Sequence, residues 1–314
     1  MKTRTINKLS IVIPVYFNED NLRPLYDSLK EEIFDKVEYQ CEVIMVNDGS
    51  GDGSWDVIRE LSVKDKRIRG ITLSRNFGSH AAILCGLSHA TGDCAVVKAA
   101  DLQEPTAMIL DMVAEWENGY NVVLAVREGR EESRSQTAFA NLYYGMVRKF
   151  ALPGMPKTGF DVYLVDSRVI EVLDKLDERN SALTGQILWS GFKTKEVKYV
   201  RQARTVGKSR WTFRKKVKLV MDTLFSFSSL PITVVSTVGV CSFLGALIWA
   251  IVEVILKLTN VIVVQGWTLL FIFNLGSFGV TMLTLGILGE YLWRTFDAGR
   301  NRPPYIVEDE TEKN

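Results

Sequence analysis

Hydrophobic and polar residues alternate in blocks along the first third of the chain. Short apolar runs rich in β-branched residues predict four strands, at residues 9–16, 42–46, 68–73 and 94–98. Apolar residues at helical spacing predict three intervening helices, at residues 20–34, 54–63 and 80–90. Each predicted strand ends in a polar or glycine-rich loop. This alternation predicts a doubly wound α/β domain, whose ligand crevice is formed by the loops that follow the strands.

Two uncharged stretches, Ile232–Val252 and Val261–Gly289, dominate the last third of the chain. Each exceeds the roughly 20 residues that a helix needs to cross a bilayer, which predicts two transmembrane helices. Basic residues flank the pair, at Arg210, Arg214, Lys215, Lys216 and Lys218 before it and at Arg294, Arg300 and Arg302 after it. Only Lys257 lies in the turn predicted at 253–260. Because cytoplasmic flanks carry the excess of Lys and Arg, both termini are predicted to be cytoplasmic.

These patterns divide the chain into four parts. Residues 1–210 form the predicted cytoplasmic domain, and residues 231–293 form the two transmembrane helices. Basic and apolar residues are mixed over 211–230, which predicts an amphipathic helix lying in the membrane interface. Residues 294–314 are predicted to be a cytoplasmic tail. The opening MKTRTINKLS has no apolar region followed by a cleavage site, so a secretory signal is not expected.

Charge and cysteine content narrow the class further. The 314 residues include 38 basic and 37 acidic ones, so no bulk charge favours a nucleic-acid partner. The four cysteines show no paired spacing, at Cys41, Cys85, Cys94 and Cys241. Reduced thiols are therefore expected, which again places the soluble part on the cytosolic side.

The stretch VVKAADLQEP at 96–105 places polar side chains where the fourth predicted strand ends. Asp101, Gln103 and Glu104 follow within a few residues, and Pro105 prevents further strand pairing. Oxygen ligands of this kind suit a hard cation that is also bound by phosphate oxygens. The alternative is a polar turn that ends a strand.

A dinucleotide-binding oxidoreductase is a competing interpretation of the α/β pattern. That class places G-x-G-x-x-G directly after its first strand. Here the first strand ends in PVYFNED, and the glycines at 49, 51 and 53 follow the second. The fingerprint is therefore not met.

Six motifs occur in an order that resembles a known family: SIVIPVYFNE, VNDGS, LSRNFG, ADLQEP, GFDVYLVD and GKSRW. The sequence is similar to the polyprenyl-phosphate glycosyltransferases of glycosyltransferase family two, which include bactoprenol glycosyltransferases and dolichol-phosphate mannose synthase. LFSFSSLP and LGILGEYL extend the resemblance to the membrane part. It implies a Rossmann-like nucleotide-diphosphosugar transferase domain of the GT-A type, followed by two transmembrane helices.

The resemblance also implies an activity and a location. The protein is expected to be an inverting enzyme that moves a sugar from a UDP- or GDP-sugar to polyprenyl (undecaprenyl) phosphate. It would act at the cytoplasmic face of a bacterial inner membrane, with or without assembly into a homo-oligomer. Which sugar and which nucleotide are used cannot be read from the motifs.

Site residues follow from the same resemblance. Residues implied to hold the nucleoside are Pro14, Tyr16, Glu19 and Asp48. Asp101 and Gln103 would bind Mg²⁺ or Mn²⁺ bridging the donor phosphates, and Asp161 aligns with the catalytic carboxylate. Two positions depart from the family: Ala99 stands where relatives commonly have Asp, and Phe17 stands where many have Asn.

The acceptor site can be argued from charge. A lipid phosphate is already anionic, so the site must position and screen two anions rather than deprotonate a nucleophile. Residues suited to binding phosphate oxygens are Arg127, Arg130, Arg204, Lys208, Ser209 and Arg210. The alternative role for this basic set is attraction to anionic headgroups.

Two further functions remain open from the sequence. Ala99 motivates a nucleotide-sugar-binding membrane protein with impaired catalysis. Arg210 and Trp211 are similar to the Q-x-x-R-W signature of processive polysaccharide synthases, but Gly207 occupies the Gln position. Two transmembrane helices are also few for a polymer channel.

Overall fold

The α/β domain and the two long apolar helices are both present in the computed structural model. The structure describes residues 3–128, 143–176, 182–201, 222–259 and 267–311. The first elements are β1 (Lys8–Val15), α1 (Glu19–Leu29), β2 (Gln40–Asn47), α2 (Ser54–Lys64), β3 (Ile68–Leu73), α3 (Ser79–Ser88), β4 (Cys94–Val97) and α4 (Met108–Glu117). The remaining ones are β5 (Val122–Arg127), β6 (Tyr163–Asp166), α5 (Ser167–Lys175), α6 (Leu183–Trp189), β7 (Thr194–Tyr199), α7 (Leu230–Leu258), α8 (Trp267–Gly299) and β8 (Val307–Glu310).

The strands form one mixed sheet in the order β7-β5-β6-β4-β1-β2-β3-β8. β1 pairs in parallel with β2 and β4, and β2 pairs in parallel with β3. β6 is antiparallel to β4 and β5, whereas β7 is parallel to β5. The carboxyl ends of β1, β2, β4, β5 and β7 therefore share one edge with the amino end of β6. This arrangement confirms the predicted Rossmann-like α/β class.

The core lies on both faces of the sheet. Along β1, Ile11 and Ile13 pack into the cluster under α1, α2 and α4, while Val12 packs into a cluster on the opposite face. This alternation is the two-residue period of a strand that is buried on both sides. Gly86 in α3 lets that helix approach closely, because a Cβ there would clash with Val12. The continuous apolar run of β1 thus follows from burial on both faces.

A buried carboxylate near the start of α5 joins three distant parts of the domain. Asp166 accepts hydrogen bonds from Trp116 Nε1 at 2.8 Å and Arg168 Nε at 2.9 Å, and it pairs with Arg4. Burial alone would raise the pKa of Asp166, but the hydrogen bonds from Arg168 and Trp116 outweigh it and lower the pKa. This group lies away from the functional edge and stabilises the fold.

Predicted boundaries agree with the observed ones to within a few residues in the first four strands. β3 spans the predicted 68–73, and β2 begins two residues before the predicted start at 42. The helix predicted at 20–34 is α1 followed by a π-helical turn at Lys30–Phe34. The buried Ile33 and Phe34 explain why the apolar pattern continued through that turn.

Both predicted apolar segments are helical over their described residues. Leu230–Leu256 and Phe273–Gly299 are each 27 residues long and apolar enough to cross a membrane. Large side chains such as Phe243 and Phe278 are exposed along them, as expected of surfaces covered by lipid.

The ends of these helices differ from the prediction. α7 continues to Leu258, into the turn predicted at 253–260, because the segment EVILKL consists of residues that tolerate a helix. α8 continues to Gly299, beyond the predicted end at 293, and a glycine is a common helix terminator. The predicted start of the second apolar segment, at 261, lies outside the described residues.

The described part of the segment predicted as a tail, 294–311, returns to the α/β domain. After α8 ends, β8 pairs antiparallel with β3, placing Ile71 opposite Glu310. Arg69 Nη2 donates to Glu310 Oε2 at 2.6 Å, and Ser74 N donates to the Ile306 carbonyl at 3.0 Å. An edge strand has backbone N–H and C=O groups without partners in the sheet. The backbone groups of β8 form hydrogen bonds with those of β3. This pairing holds the C-terminal end of α8 close to the α/β domain.

A short helical segment at 222–227 lies against the end of α8. Arg294 Nη2 donates to Asp222 Oδ1 at 2.8 Å, and Arg294 Nη1 donates to Ser226 Oγ at 3.2 Å. The rings of Phe225 and Tyr291 are 5.2 Å apart. The amphipathic helix predicted at 211–230 is described only in this part, since residues 211–221 lie outside the described residues.

Candidate functional site

The described candidate residues lie at the sheet edge where the parallel strands end. Tyr16 follows β1, Asp48 follows β2 and Asp101 follows β4. Arg127 is the last residue of β5, and Asp161 precedes β6. Because β6 runs antiparallel to its neighbours, its beginning meets the ends of the others. The sheet topology therefore brings residues that are more than a hundred positions apart to one edge.

An aromatic pair stands at the end of β1. Tyr16 and Phe17 are 38% and 40% exposed, and their rings meet edge to face with centroids 4.7 Å apart. Phe17 has a positive φ of 56°, and its backbone N–H donates to Ser50 Oγ at 3.0 Å. Exposed aromatic rings at this position could stack on a nucleobase. Pro14 lies within β1, opposite Val46.

The carboxylate of Glu19 reaches across to the loop before α2. Its Oε2 accepts a hydrogen bond from the Gly53 backbone N–H at 2.9 Å. A Cβ on Gly53 would lie 2.6 Å from Glu19 Oε1, so only glycine permits this approach. The predicted nucleoside-binding role of Glu19 stays a prediction.

Asp48 is only 3% exposed, and its carboxylate organises the loop between β3 and α3. Oδ1 accepts from Phe77 N at 2.7 Å, while Oδ2 accepts from Gly78 N at 3.0 Å and from Asn76 Nδ2 at 3.0 Å. Burial raises the pKa of Asp48, and the two backbone N–H groups oppose that shift. The structure thus gives Asp48 a positioning contact in the loop; its predicted contact with a nucleoside stays a prediction.

The loop after β4 turns sharply around Asp101. Leu102 has a positive φ of 57°, and the Gln103 backbone N–H donates to Asp101 Oδ1 at 3.3 Å. The side-chain oxygen of Gln103 accepts a hydrogen bond from Arg201. Sequence reasoning missed Arg201, which lies two residues beyond the end of β7.

These residues suit a divalent cation that is also held by its substrate. The described residues contain no group of three His, Cys, Asp or Glu side chains placed to hold a metal by themselves. Asp101 and Gln103 offer oxygen atoms, and Ala99 offers none. Mg²⁺ and similar hard ions are commonly held by one or two carboxylates together with substrate phosphates. The donor set therefore fits an ion that binds together with a diphosphate.

Lys98 and Glu104 are buried at either end of this loop, 1% and 3% exposed. Lys98 Nζ donates to the Glu104 backbone carbonyl at 2.5 Å. Burial lowers the pKa of Lys98 and raises that of Glu104, and Asp101 raises the Glu104 pKa further. A lysine at the end of an otherwise apolar strand was the available sequence signal for this buried pair.

Arg127 and Asp161 form an ion pair across the ends of β5 and β6. Arg127 Nε also donates to the Tyr199 hydroxyl at 3.2 Å. Burial alone would lower the pKa of Arg127, but Asp161 and Tyr199 outweigh it and raise the pKa. Asp161 is 61% exposed, whereas Arg127 is 18% exposed. The pair therefore presents an accessible carboxylate that is fixed by a mostly buried guanidinium.

Five of the predicted acceptor-site residues lie outside the described residues: Arg130, Arg204, Lys208, Ser209 and Arg210. Their role stays a prediction. Arg127 is the member of that set which the structure places at the functional edge.

A separate cavity of about 540 Å³ lies at the opposite edge, around the beginnings of β1, β2 and β3. Three of its basic residues pair with acidic ones, as Lys8–Glu42, Arg67–Asp65 and Arg69–Glu310. We assign no ligand to it, because most of its basic side chains are already paired within the fold.

Comparison with known proteins adds a family and several relatives. Residues 10–164 match the model of "Glycosyl transferase family 2". The chain is 36% identical over 300 residues to the uncharacterized glycosyltransferase YkcC of Bacillus subtilis, covering 95% of this chain and 93% of the relative. It is 32% identical over 312 residues to the bactoprenol glucosyl transferase of Shigella phage SfV, covering 98% of this chain and all 100% of the relative. A prophage bactoprenol glucosyl transferase homolog of Escherichia coli is 32% identical, with coverage of 96% and 98%.

Proposed function

The chain belongs to glycosyltransferase family 2, and we propose that it transfers a sugar from a nucleotide diphosphate sugar to polyprenyl phosphate at a membrane surface. The observation that carries the proposal is the end-to-end similarity to bactoprenol glucosyl transferases, which includes both apolar helices. The site geometry supports it, because one edge of the sheet carries the aromatic rings of Tyr16 and Phe17, the oxygen-bearing loop at Asp101 and the guanidinium of Arg127.

The strand order suggests how the two substrates are arranged. The nucleoside would lie beside β1 and β2, near Tyr16, Glu19 and Asp48. The diphosphate would lie at the end of β4, and the acceptor phosphate would approach from β5, β6 and β7. The sugar would then occupy the space between the diphosphate and the acceptor, at the ends of β4 and β6.

Asp101 and Gln103 would hold Mg²⁺ or Mn²⁺ together with the donor phosphates. Such an ion neutralises charge that develops on the leaving diphosphate. The side-chain oxygen of Gln103 already accepts a hydrogen bond from Arg201 in this structure. Asp101 is therefore the principal protein ligand in this proposal.

The acceptor phosphate needs no general base, because its oxygen is already anionic. A phosphate oxygen would form a bond to the anomeric carbon while the bond to the diphosphate breaks, which releases the nucleoside diphosphate and inverts the anomeric centre. Arg127 would screen the two anions, and Asp161 would orient Arg127 or the sugar. Arg130, Arg204, Lys208, Ser209 and Arg210 would complete the acceptor site.

The fold supports an arrangement with both ends of the helix pair on one side of the membrane. β8 joins the sheet of the α/β domain, and Arg294 ties α8 to the segment before α7. We place that side in the cytoplasm, where nucleotide sugars are available. In intact cells, a membrane-impermeant maleimide should label Gln265→Cys, between α7 and α8, and should spare Glu308→Cys in β8 until the cells are permeabilised. The reverse pattern would contradict this topology.

Turnover by the full-length protein in detergent tests the activity. We would supply UDP-glucose, other UDP- and GDP-sugars and undecaprenyl phosphate, with Mg²⁺, Mn²⁺ or a chelator, and would identify the lipid product by mass spectrometry and its anomer by NMR. We expect a divalent-dependent glycolipid of inverted configuration. Asp101→Ala should abolish it, whereas Asp111→Ala, an exposed carboxylate on α4, should leave it unchanged.

Two outcomes would overturn the proposal. Binding of nucleotide sugars without turnover across the whole donor panel would favour a protein with impaired catalysis, as Ala99 suggests. Repeated addition of sugar to one acceptor would indicate a processive synthase.

A further inference from the structure

Glu104 carries a buried carboxylate oxygen without a hydrogen-bond partner. The residue is 3% exposed, and its Oε2 accepts no hydrogen bond from any described residue. Lys98 Nζ, a buried cation at the other end of the loop, donates to the Glu104 backbone carbonyl instead. A buried carboxylate oxygen left without a donor is costly to the fold. Its presence therefore indicates a donor that the described residues of the ligand-free chain do not supply.

The position of Glu104 lies inside the candidate site. It follows Asp101 and Gln103 in the loop after β4, and β6, which begins just after Asp161, is the next strand in the sheet. Glu104 directly follows Gln103 and lies three residues after Asp101, the two residues proposed for the metal and the diphosphate.

The chemistry of the missing partner follows from the carboxylate itself. A phosphate oxygen is also negatively charged and has no proton to donate, so it would not supply the missing hydrogen bond. A neutral O–H group can donate to it without adding negative charge. Of the substrate groups that meet between the diphosphate and the acceptor, the sugar alone presents several hydroxyls.

We propose that Glu104 is a substrate-binding residue, whose side chain accepts a hydrogen bond from a hydroxyl of the sugar on the nucleotide donor. This inference rests on the proposed function and extends it to the recognition of the transferred sugar. A water molecule bound to the divalent ion is the other source of an O–H donor in this place.

Calorimetric binding by the full-length protein in detergent separates the two sources. The probes are UDP-glucose, UDP and the monodeoxy analogues of UDP-glucose, in the presence of Mn²⁺; if the turnover screen finds another donor, that donor and its nucleoside diphosphate replace them. We expect Glu104→Gln to weaken UDP-glucose binding about tenfold, the loss typical of a charge-assisted hydrogen bond, and to leave UDP binding within about twofold. One deoxy analogue should bind the unmodified protein about tenfold more weakly and should lose nothing further with Glu104→Gln.

A structural role for Glu104 would give a different result. Removing an unpartnered buried charge should leave the melting temperature unchanged or raise it, whereas removing a structural contact should lower it. Glu117→Gln, which alters a buried glutamate at the end of α4, is the matched control and should leave donor affinity unchanged. Glu104→Asp retains the charge on a shorter side chain and should also weaken sugar binding selectively.

Each remaining outcome overturns the inference in an identifiable way. Equal weakening of UDP and UDP-glucose would assign the partner to metal-bound water. Unchanged affinity for both, or a lower melting temperature alone, would show that Glu104 does not contact the sugar. Because the measurement is of binding, it remains decisive where turnover fails; a chain that binds no nucleotide sugar would overturn this inference and the proposed function together.

Discussion

Asp48→Asn tests whether the carboxylate after β2 is a structural acceptor of the neighbouring loop. The substitution preserves the shape of the side chain but leaves one acceptor oxygen in place of two. Oδ1 accepts from Phe77 N, and Oδ2 accepts from Gly78 N and Asn76 Nδ2. Whichever way the new amide is oriented, its NH₂ group faces at least one N–H donor.

The expected loss of stability follows from the number of N–H donors that lose their acceptor. In the better orientation the amide oxygen replaces Oδ2, so only the bond to Phe77 N is lost. A buried N–H without an acceptor costs about 1–3 kcal/mol, and the two remaining bonds lose their charge assistance. Two effects reduce this loss, because Phe77 is only partly buried and because burial already disfavours the charged form of Asp48. We therefore expect a destabilisation of about 1.5 kcal/mol.

Thermal unfolding of the full-length protein in detergent, followed by tryptophan fluorescence, measures this loss. For a domain of this size the expected shift in Tm is about 3–6 °C. Asp56→Asn is the matched control: its side chain is 73% exposed and pairs with Arg59 on the surface, so it should change stability by less than about 0.5 kcal/mol.

The nucleotide affinity of the same variant separates structure from ligand contact. A loop that has lost its acceptor should bind nucleotide more weakly as well as melt earlier. If Asp48→Asn melts like Asp56→Asn and loses only nucleotide affinity, the reasoning from the three hydrogen bonds is wrong and the carboxylate serves the ligand directly.

Three further predictions address the edge of the sheet and the core. Arg127→Ala should lower kcat by about 10²–10³ and leave donor affinity unchanged, whereas Lys198→Ala on the surface should leave kcat unchanged. Equal kcat values for the two variants in steady-state kinetics would contradict this role of Arg127. Gly53→Ala should displace the carboxylate of Glu19 and weaken nucleotide binding severalfold, while changing the free energy of unfolding by less than about 1 kcal/mol. Unchanged nucleotide affinity by calorimetry would exclude Glu19 from the nucleoside site. The pKa of Asp166 in the folded protein lies below its ordinary value of 3.8, so its contribution to stability should be fully present above about pH 5 and lost as pH falls below about 4. The difference in stability between the unmodified protein and Asp166→Asn should therefore narrow only below about pH 4.

Local patterns in the sequence determined the first four strands and the two long apolar helices of this protein. The β-branched runs predicted β1 to β4, and the two uncharged stretches predicted α7 and α8, because burial on both faces of a strand or contact with lipid each leaves a continuous apolar signal. The sequence also placed Asp48 and Asp101 at strand ends correctly, since a strand end is a local event. The shared direction of β1, β2 and β4 then brought them to one edge.

Tertiary structure alone decided which distant side chains meet. Asp161 reaches Arg127 because β6 runs antiparallel between β4 and β5, and no local pattern around GFDVYLVD states that direction. The bond between Lys98 and the Glu104 carbonyl depends on how the loop after β4 folds back, so it could not be read from residue types. The same holds for β8, because VEDE is a weak strand signal that becomes a strand only beside the free edge of β3. Hydrophobic periodicity reports what one segment buries, whereas pairing across the sheet depends on free backbone groups and charges supplied by segments far away in the chain.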